Sequence, residues 1–275
     1  PGQRELRLRS TLGLSNPLRF YIGQLPEYTK KPPTADLQLR RGKRPANSNE
    51  PLTTAPTDMT VSMPAILNGQ ILPGGTDRYH FQGRAGQKLV AAVSARQLIP
   101  YLADAVPGWF QANVTLYDPK GRELRYDDRF RFHPDPGLYC ELPQDGEYVL
   151  EIHDSIFRGR EDFVYRISLG ELPFVTGIFP LGGELGTQTT VQVEGWNLPE
   201  GSLTHSNAAP GIDSVCVRKG TFASNHVPFA VDTLPECLET EPNNSAAEAQ
   251  AVSLPVIING RIGRPADEDV FRFQG

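Results

Sequence analysis

Between residues 61 and 172 apolar and polar positions alternate. Tyr79 and Phe81 alternate with Arg78 and His80. Leu89, Ala91, Val93 and Ala95 follow at the same spacing, then Ala112, Val114 and Leu116, then Tyr148, Leu150 and Ile152, and last Phe163, Tyr165, Ile167 and Leu169. Successive side chains of a strand point to opposite faces, so each set predicts a strand with one face on a core. Asp118-Pro119-Lys120-Gly121, with proline early and glycine last, predicts a turn that joins 113–117 to 122–126 as a hairpin. Gln144-Asp145-Gly146 marks another turn. The pattern amounts to seven or eight short strands in about 110 residues, which predicts a β-sandwich or jelly roll. Only Leu98 to Val106 carries the expectation of a helical turn.

A smaller unit spans 173–235. It has a tight turn at Leu181-Gly182-Gly183-Glu184-Leu185-Gly186, a strand over 189–194 with Val191 and Val193 inward, and strands around Val215–Val217 and Pro228–Val231. About 60 residues make a small core, so this unit is expected to lean on a neighbour. Residues 31–60 form a polar run with almost no apolar periodicity and read as a linker. Residues 1–30, with Leu6, Leu8, Leu18, Phe20 and Ile22, read as the tail of another copy of the smaller unit. Residues 236–253 read as a second linker, and 254–275 as the start of a second large sandwich.

That assignment rests on an internal repeat. Residues 64–83 read PAILNGQILPGGTDRYHFQG and residues 255–275 read PVIINGRIGRPADEDVFRFQG. Ser15-Asn16, Phe20 and Leu25-Pro26-Glu27 recur as Ser224-Asn225, Phe229 and Leu234-Pro235-Glu236, an offset of 209, whereas Asn68-Gly69 and Asn259-Gly260 are offset by 191. The first copy therefore carries about 18 extra residues between these anchors. A repeat of this length holds more than one domain, and the chain is expected to be a window on a longer array.

Composition narrows the function classes. Charged residues sum to a net charge of -5 and the pI is near 5.6, which disfavours nucleic acid as a partner. No run of about 18 apolar residues is present to cross a membrane as a helix. The 26 glycines and 25 prolines suit many strands joined by turns, so the fold class is all-β. Of the three cysteines, Cys140 reads as a small core residue. Cys216 and Cys237 align with Arg7 and Tyr28, and their joint presence in one copy fits either a disulfide or two unrelated buried thiols.

Catalytic motifs are thin. There is no Gly-x-Ser-x-Gly elbow and no His-Glu-x-x-His. His153-Asp154-Ser155 names the members of a hydrolytic triad, but neighbours on a strand face opposite ways and cannot align. Gly182 to Gly186 lacks the Lys-Ser/Thr and the helix of a phosphate loop. Asp127-Asp128-Arg129-Phe130-Arg131-Phe132 reads either as a binding rim or as a segment packing Phe130 and Phe132 inward. Trp109-Phe110 and Trp196, the aromatics a carbohydrate-binding face would use, read as core or loop anchors.

One stretch has metal chemistry. Glu239, Glu241, Asn243 and Asn244 place four oxygen-bearing side chains within six residues, and Asp267 and Asp269 add carboxylates at the start of a strand. Calcium takes six to eight oxygen ligands from such loops, and acids this dense repel one another without a cation. An exposed acidic linker with capping residues accounts for the same letters.

Asn-Gly-x-Ile, then Asp-x-Phe-x-Phe, the later Asp145-Gly146-Glu147-Tyr148 with Leu150, Ile152 and Asp154, and the preface Glu-x-Glu-Pro-Asn-Asn together resemble the bacterial pre-peptidase C-terminal domain. That family is a secreted β-sandwich appended to peptidases and related to the collagen-binding modules of collagenases. The smaller unit, with Phe179-Pro180, Gly182-Gly183, Gly186 and Gly195-Trp196-Asn197-Leu198, resembles an immunoglobulin-like IPT/TIG domain, and the alternation of the two resembles large surface or secreted proteins of planctomycete-type bacteria. The resemblance implies a secreted or cell-surface location. It further implies a non-catalytic role in adhesion, spacing or binding of an extracellular protein or polysaccharide, or alternatively an accessory role beside a secreted hydrolase. It also implies calcium at Glu239, Glu241, Asn243, Asn244, Asp267 and Asp269. The first copy, prefaced by Ser48-Asn49-Glu50-Pro51-Leu52 and keeping only Asp77 at the place of Asp269, is expected to have lost the ion.

Overall fold

A computed structural model of the chain describes residues 2–30, 57–99, 109–131 and 133–274. The chain divides into two compact units, Pro1–Leu172 and Pro173–Gly275. Every regular element among the described residues is a strand.

The first unit opens with four short strands, β1 (Gly2–Leu6), β2 (Arg9–Ser10), β3 (Gly13–Leu14) and β4 (Leu18–Ile22), paired β1 with β4 and β2 with β3. The sandwich follows, built from β5 (Glu27–Thr29), β6 (Thr57–Thr60), β7 (Ala65–Gln70), β8 (Thr76–Gly83), β9 (Lys88–Ser94), β10 (Ala112–Tyr117), β11 (Glu123–Asp127), β12 (Gly137–Glu141), β13 (Gly146–Asp154) and β14 (Val164–Gly170). One sheet runs β11-β10-β13-β8-β6 and the other β12-β9-β14-β7-β5. The alternating apolar sets meet between them: Tyr79, Phe81, Val114, Leu116, Tyr148, Leu150 and Ile152 from one side, Leu67, Leu89, Ala91, Leu138, Tyr165, Ile167 and Leu169 from the other, all buried in one core. Cys140 lies in that core. The hairpin of β10 and β11 closes through Asp118, whose Oδ1 accepts from the amides of Lys120 (2.8 Å) and Arg122 (2.9 Å).

Two edge strands sit outside the boundaries drawn from the sequence pattern. β5 lies in the stretch read as a tail and β6 in the stretch read as a linker, yet each adds in parallel to the sandwich, Tyr28 opposite Leu67 and Met59 opposite Tyr79. Strands of three and four residues are too short for alternation to reveal, and their place is set by partners far along the chain. Residues 100–106 of the expected helical turn, and Phe132, lie outside the described residues. Phe130 is half-buried over Gly137, and the neighbouring loop is tied down by Asp135, which accepts from the amides of Ala95, Arg96 and Gln97.

The second unit contains β15 (Phe174–Phe179), β16 (Gly182–Glu184), β17 (Gln188–Trp196), β18 (Ser202–Ser206), β19 (Gly211–Val215), β20 (Arg218–Lys219), β21 (Phe222–Ala223), β22 (Val227–Asp232), β23 (Glu236–Leu238), β24 (Gln250–Ala251), β25 (Ile257–Asn259) and β26 (Phe271–Arg272). Sheets β15-β17-β18 and β16-β22-β19 enclose Val175, Ile178, Val191, Val193, Val215, Val217, Phe229 and Val231. Gly182 and Gly183, expected in a turn, are strand residues paired with Ala230 and Val231. A Cβ on Gly182 would strike the Ala230 carbonyl, and one on Gly183 the side chains of Thr189 and Asn207, so the first glycine lets two backbones approach and the second makes room for the Asn207 amide. Residues of the 254–275 stretch touch the small unit. Arg261 lies over the Phe179 ring, 4.1 Å from its centroid, and Leu181 N–H donates to Asn259 Oδ1 at 3.0 Å. Cys216 and Cys237 are both free thiols, so of the two readings of that pair the structure carries the unbridged one.

The repeat holds at the level of register. Gly2 faces Ile22 and Leu6 faces Leu18; Gly211 faces Val231 and Val215 faces Val227, each partner shifted by 209. Glu27 faces Ile66 and Thr29 faces Asn68; Glu236 faces Ile257 and Leu238 faces Asn259. The faces differ in cover. Phe229 is 0% exposed in its core, whereas its counterpart Phe20 is 53% exposed.

Candidate metal centre

The acidic link and the loop bearing the two aspartates are drawn together by parallel pairing. β23 pairs with β25, and the ladder continues one residue further, where Glu239 N–H donates to Asn259 C=O at 2.9 Å. β24 pairs with β26, and Val270 N–H donates to Asn243 C=O at 2.9 Å. Asn243 is thereby pinned beside the Asp269 loop, and its own N–H donates to Glu241 Oε2 at 3.1 Å. Asn259 orients the junction: its Oδ1 accepts from Leu181, and its Nδ2 donates to Glu236. Gly260 leaves the space, since a Cβ there would sit 2.6 Å from Glu239 Oε2 and 3.3 Å from Asp269 Oδ2. The loop bends through Ala266, at φ 63°, immediately before Asp267.

Of the six residues expected from the sequence, Glu241, Asp267 and Asp269 bring one carboxylate oxygen each within 4.8 Å of one another. Glu239 Oε1 accepts from the Arg261 amide at 2.7 Å, while its buried Oε2 has no hydrogen-bond partner. Burial pushes the Glu239 carboxyl up, the Arg261 amide opposes this, and the nearby Asp269 and Glu241 push it further up. Asn243 is fully buried with neither side-chain polar atom hydrogen-bonded. Asp267 Oδ2 accepts from the Gly263 amide at 2.6 Å, but its Oδ1 and Asp269 Oδ1 are buried without hydrogen bonds. The neighbouring cation, Arg264, stands 3.6 Å from Asp267 Oδ1 on a side chain 72% exposed, too solvated to neutralise four carboxylates.

Asn244 does different work. Its Nδ2 donates to Glu241 Oε2 at 3.1 Å and its Oδ1 accepts from the Glu268 amide at 3.4 Å, so it orients Glu241 instead of offering a free oxygen. The remaining set, Glu239, Glu241, Asn243, Asp267 and Asp269, is all oxygen. Buried oxygens without donors cost free energy unless something positive satisfies them. A hard divalent cation with many ligands fits these donors; zinc, which prefers nitrogen and sulfur, does not.

The first copy is built differently at the same register. Asp77, at the place of Asp269, is fully engaged: Oδ2 accepts from Tyr165 Oη and Oδ1 from Thr57 Oγ1, and Lys30 Nζ lies 3.3 Å from Oδ1. Sequence reasoning missed Lys30, which borders the polar run, although the 209 offset places it opposite Glu239. The residues of the preface at 48–52 lie outside the described residues.

The triad letters do not converge. Asp154 is fully buried and spends its carboxylate on the amides of Gln111 (3.2 Å) and Arg158 (3.0 Å) and on the Arg158 guanidinium, while the His153 ring stacks on Phe157 at 4.5 Å. Trp196 stacks on Phe174 at 5.1 Å, and Arg96 covers Trp109 at 4.3 Å.

No family model and no curated protein sequence matches the chain. Among solved structures it is similar to the pre-peptidase C-terminal domain of a collagenase from Bacillus anthracis, at 12% identity over 42% of this chain and 97% of that one, with a TM-score of 0.32. It is also similar to PliG, a periplasmic inhibitor of g-type lysozyme, from Aeromonas hydrophila (17% identity, 42% and 98% covered, TM-score 0.31) and from Salmonella Typhimurium (20%, 42% and 98%, TM-score 0.29).

Proposed function

We propose that the chain is a non-catalytic, repeating β-sandwich region of a secreted or cell-surface bacterial protein, in which large sandwiches alternate with small IPT/TIG-like domains to space or to bind an extracellular protein or polysaccharide. Calcium held by Glu239, Glu241, Asn243, Asp267 and Asp269 fixes the link to the start of the next large sandwich. The observation that carries this reading is the group of buried oxygens left without hydrogen bonds where the acidic link crosses the Asp269 loop. The non-catalytic part is supported by Asp154, whose carboxylate is consumed by a turn and an arginine.

The test is calorimetric melting of the 275-residue chain in EDTA and in calcium. Ligand present at about 100 times its Kd stabilises the folded state by about 2.7 kcal/mol, so the transition of the second unit should rise by several degrees. Asp269→Asn should remove that rise. Equal melting in EDTA and calcium overturns the metal reading. A glycan and collagen screen in calcium then separates a binding role from a spacing role.

A further inference from the structure

Position 30 in the first copy and position 239 in the second fall at the same step of the same parallel ladder. Lys30 N–H donates to Asn68 C=O at 2.9 Å, and Glu239 N–H donates to Asn259 C=O at 2.9 Å. From that step the two side chains carry opposite charge into corresponding places. Glu239 turns an oxygen toward Asp269. Lys30 sends its ammonium toward Asp77, the counterpart of Asp269, and there it lies among four oxygens: the Thr57 carbonyl, Thr57 Oγ1 at 3.0 Å, Asp77 Oδ1 at 3.3 Å and the Arg78 carbonyl at 3.2 Å. The Lys30 side chain is 8% exposed, and its ammonium also lies 4.6 Å from the centre of the Tyr79 ring. A buried positive charge ringed by backbone carbonyls, a hydroxyl and a carboxylate has the surroundings of a bound metal ion, supplied here to a nitrogen.

We propose that this position decides which cation locks each copy: glutamate at 239 recruits a divalent ion, and lysine at 30 is itself the cation, tethered to the chain. The substitution is coherent in charge. The second copy gathers Glu239, Glu241, Asp267 and Asp269 and needs an ion of charge two or more. In the first, Gly75 aligns with Asp267, and among the described residues Asp77 is the carboxylate in contact with the Lys30 ammonium, with Asp58 near enough to add to its field. The first sandwich thus holds β5 and β6 at all calcium concentrations, while the second holds β23 and β24 only when the ion is supplied. An array that mixes the two kinds has some joints that respond to calcium and others that ignore it.

The inference rests on the calcium reading, and one experiment separates the two. Amide hydrogen exchange is followed by NMR on the whole chain, in calcium and in EDTA. EDTA should speed exchange at Glu239 and Ile257 by tenfold or more and leave Lys30 and Ile66 unchanged. Lys30→Met should speed exchange at Lys30 and Ile66 by a similar factor in both buffers. Lys30→Glu should do so in EDTA and recover in calcium. If EDTA leaves both copies protected, the calcium reading falls and this inference with it. If EDTA releases only Glu239 and Ile257 but Lys30→Met changes nothing, the calcium reading stands and the role of Lys30 is overturned. A Lys30→Glu chain that calcium fails to protect overturns the assignment of the choice to this position.

Discussion

Asn225 holds the backbone of Val175 from both sides: Val175 N–H donates to Asn225 Oδ1 at 2.7 Å, and Asn225 Nδ2 donates to Val175 C=O at 2.9 Å. One amide side chain does the work of a strand partner for a buried residue that opens the small domain. Asn225→Ala leaves both groups of Val175 unpaired and should cost about 1–3 kcal/mol, read as a lower denaturation midpoint of the second unit. Asn16, the counterpart by register, is exposed, so Asn16→Ala should change stability by less than about 0.5 kcal/mol.

Tyr165 carries its hydroxyl between Tyr79 Oη, at 2.6 Å, and Asp77, inside the first sandwich. Burial drives its ionisation well above the usual tyrosine range, so it acts as a neutral donor throughout the working pH range. Tyr165→Phe keeps the ring and deletes the bridge, and urea unfolding should show a loss of about 1–3 kcal/mol.

His80 lies between two carboxylates, Nε2 3.0 Å from Asp58 and Nδ1 3.1 Å from Glu147. The Asp58 hydrogen bond raises its pKa, burial opposes this, and Glu147 adds to the rise. A folded-state pKa above the unfolded value means that the protonated form stabilises the fold. That contribution is complete below the unfolded value, about 6.5, and disappears as pH rises through the folded value. An NMR titration should place His80 above 6.5, and Asp58→Asn should bring it down. A titration at or below 6.5 in the unmodified chain would refute the arrangement.

Three thiols without a bridge make a simple count. Native protein should release two fast equivalents to a thiol reagent, from the half-buried Cys216 and Cys237, and a third only on unfolding. Cys140 is slow because burial encloses it and raises its pKa. Its Sγ–H is turned back to the Glu141 carbonyl at 3.5 Å.

The large sandwich was legible because its core strands are five to nine residues long, enough for Tyr79-Phe81 or Tyr148-Leu150-Ile152 to show a period of two. β5 and β6 were not, because nothing within three or four residues betrays a parallel partner 20 or more positions away. Gly182-Gly183 looked like a turn because the same letters serve close packing, of a backbone at Gly182 and of side chains at Gly183. At the candidate metal centre the residue types were readable, and the roles were not. Asn243 and Asn244 are adjacent and identical, yet the side chain of one is buried without hydrogen bonds and that of the other braces Glu241; only the path of the backbone separates them. Lys30 was hidden for the opposite reason, since a lysine among lysines and prolines gives no sign that it will be buried.

The parallel strands β5 and β6 also guard the borders of the sandwich. Each finishes one sheet, and both lie before residue 61, so a truncation there removes them. A fragment beginning there would present β7 and β8 as bare edges, each with a row of open N–H and C=O groups that another molecule could extend. With the segment from residue 23 onward in place, each sheet ends instead in a strand of three or four residues, half the length of the six- and eight-residue strands beneath, and so offers a much shorter row to a neighbour.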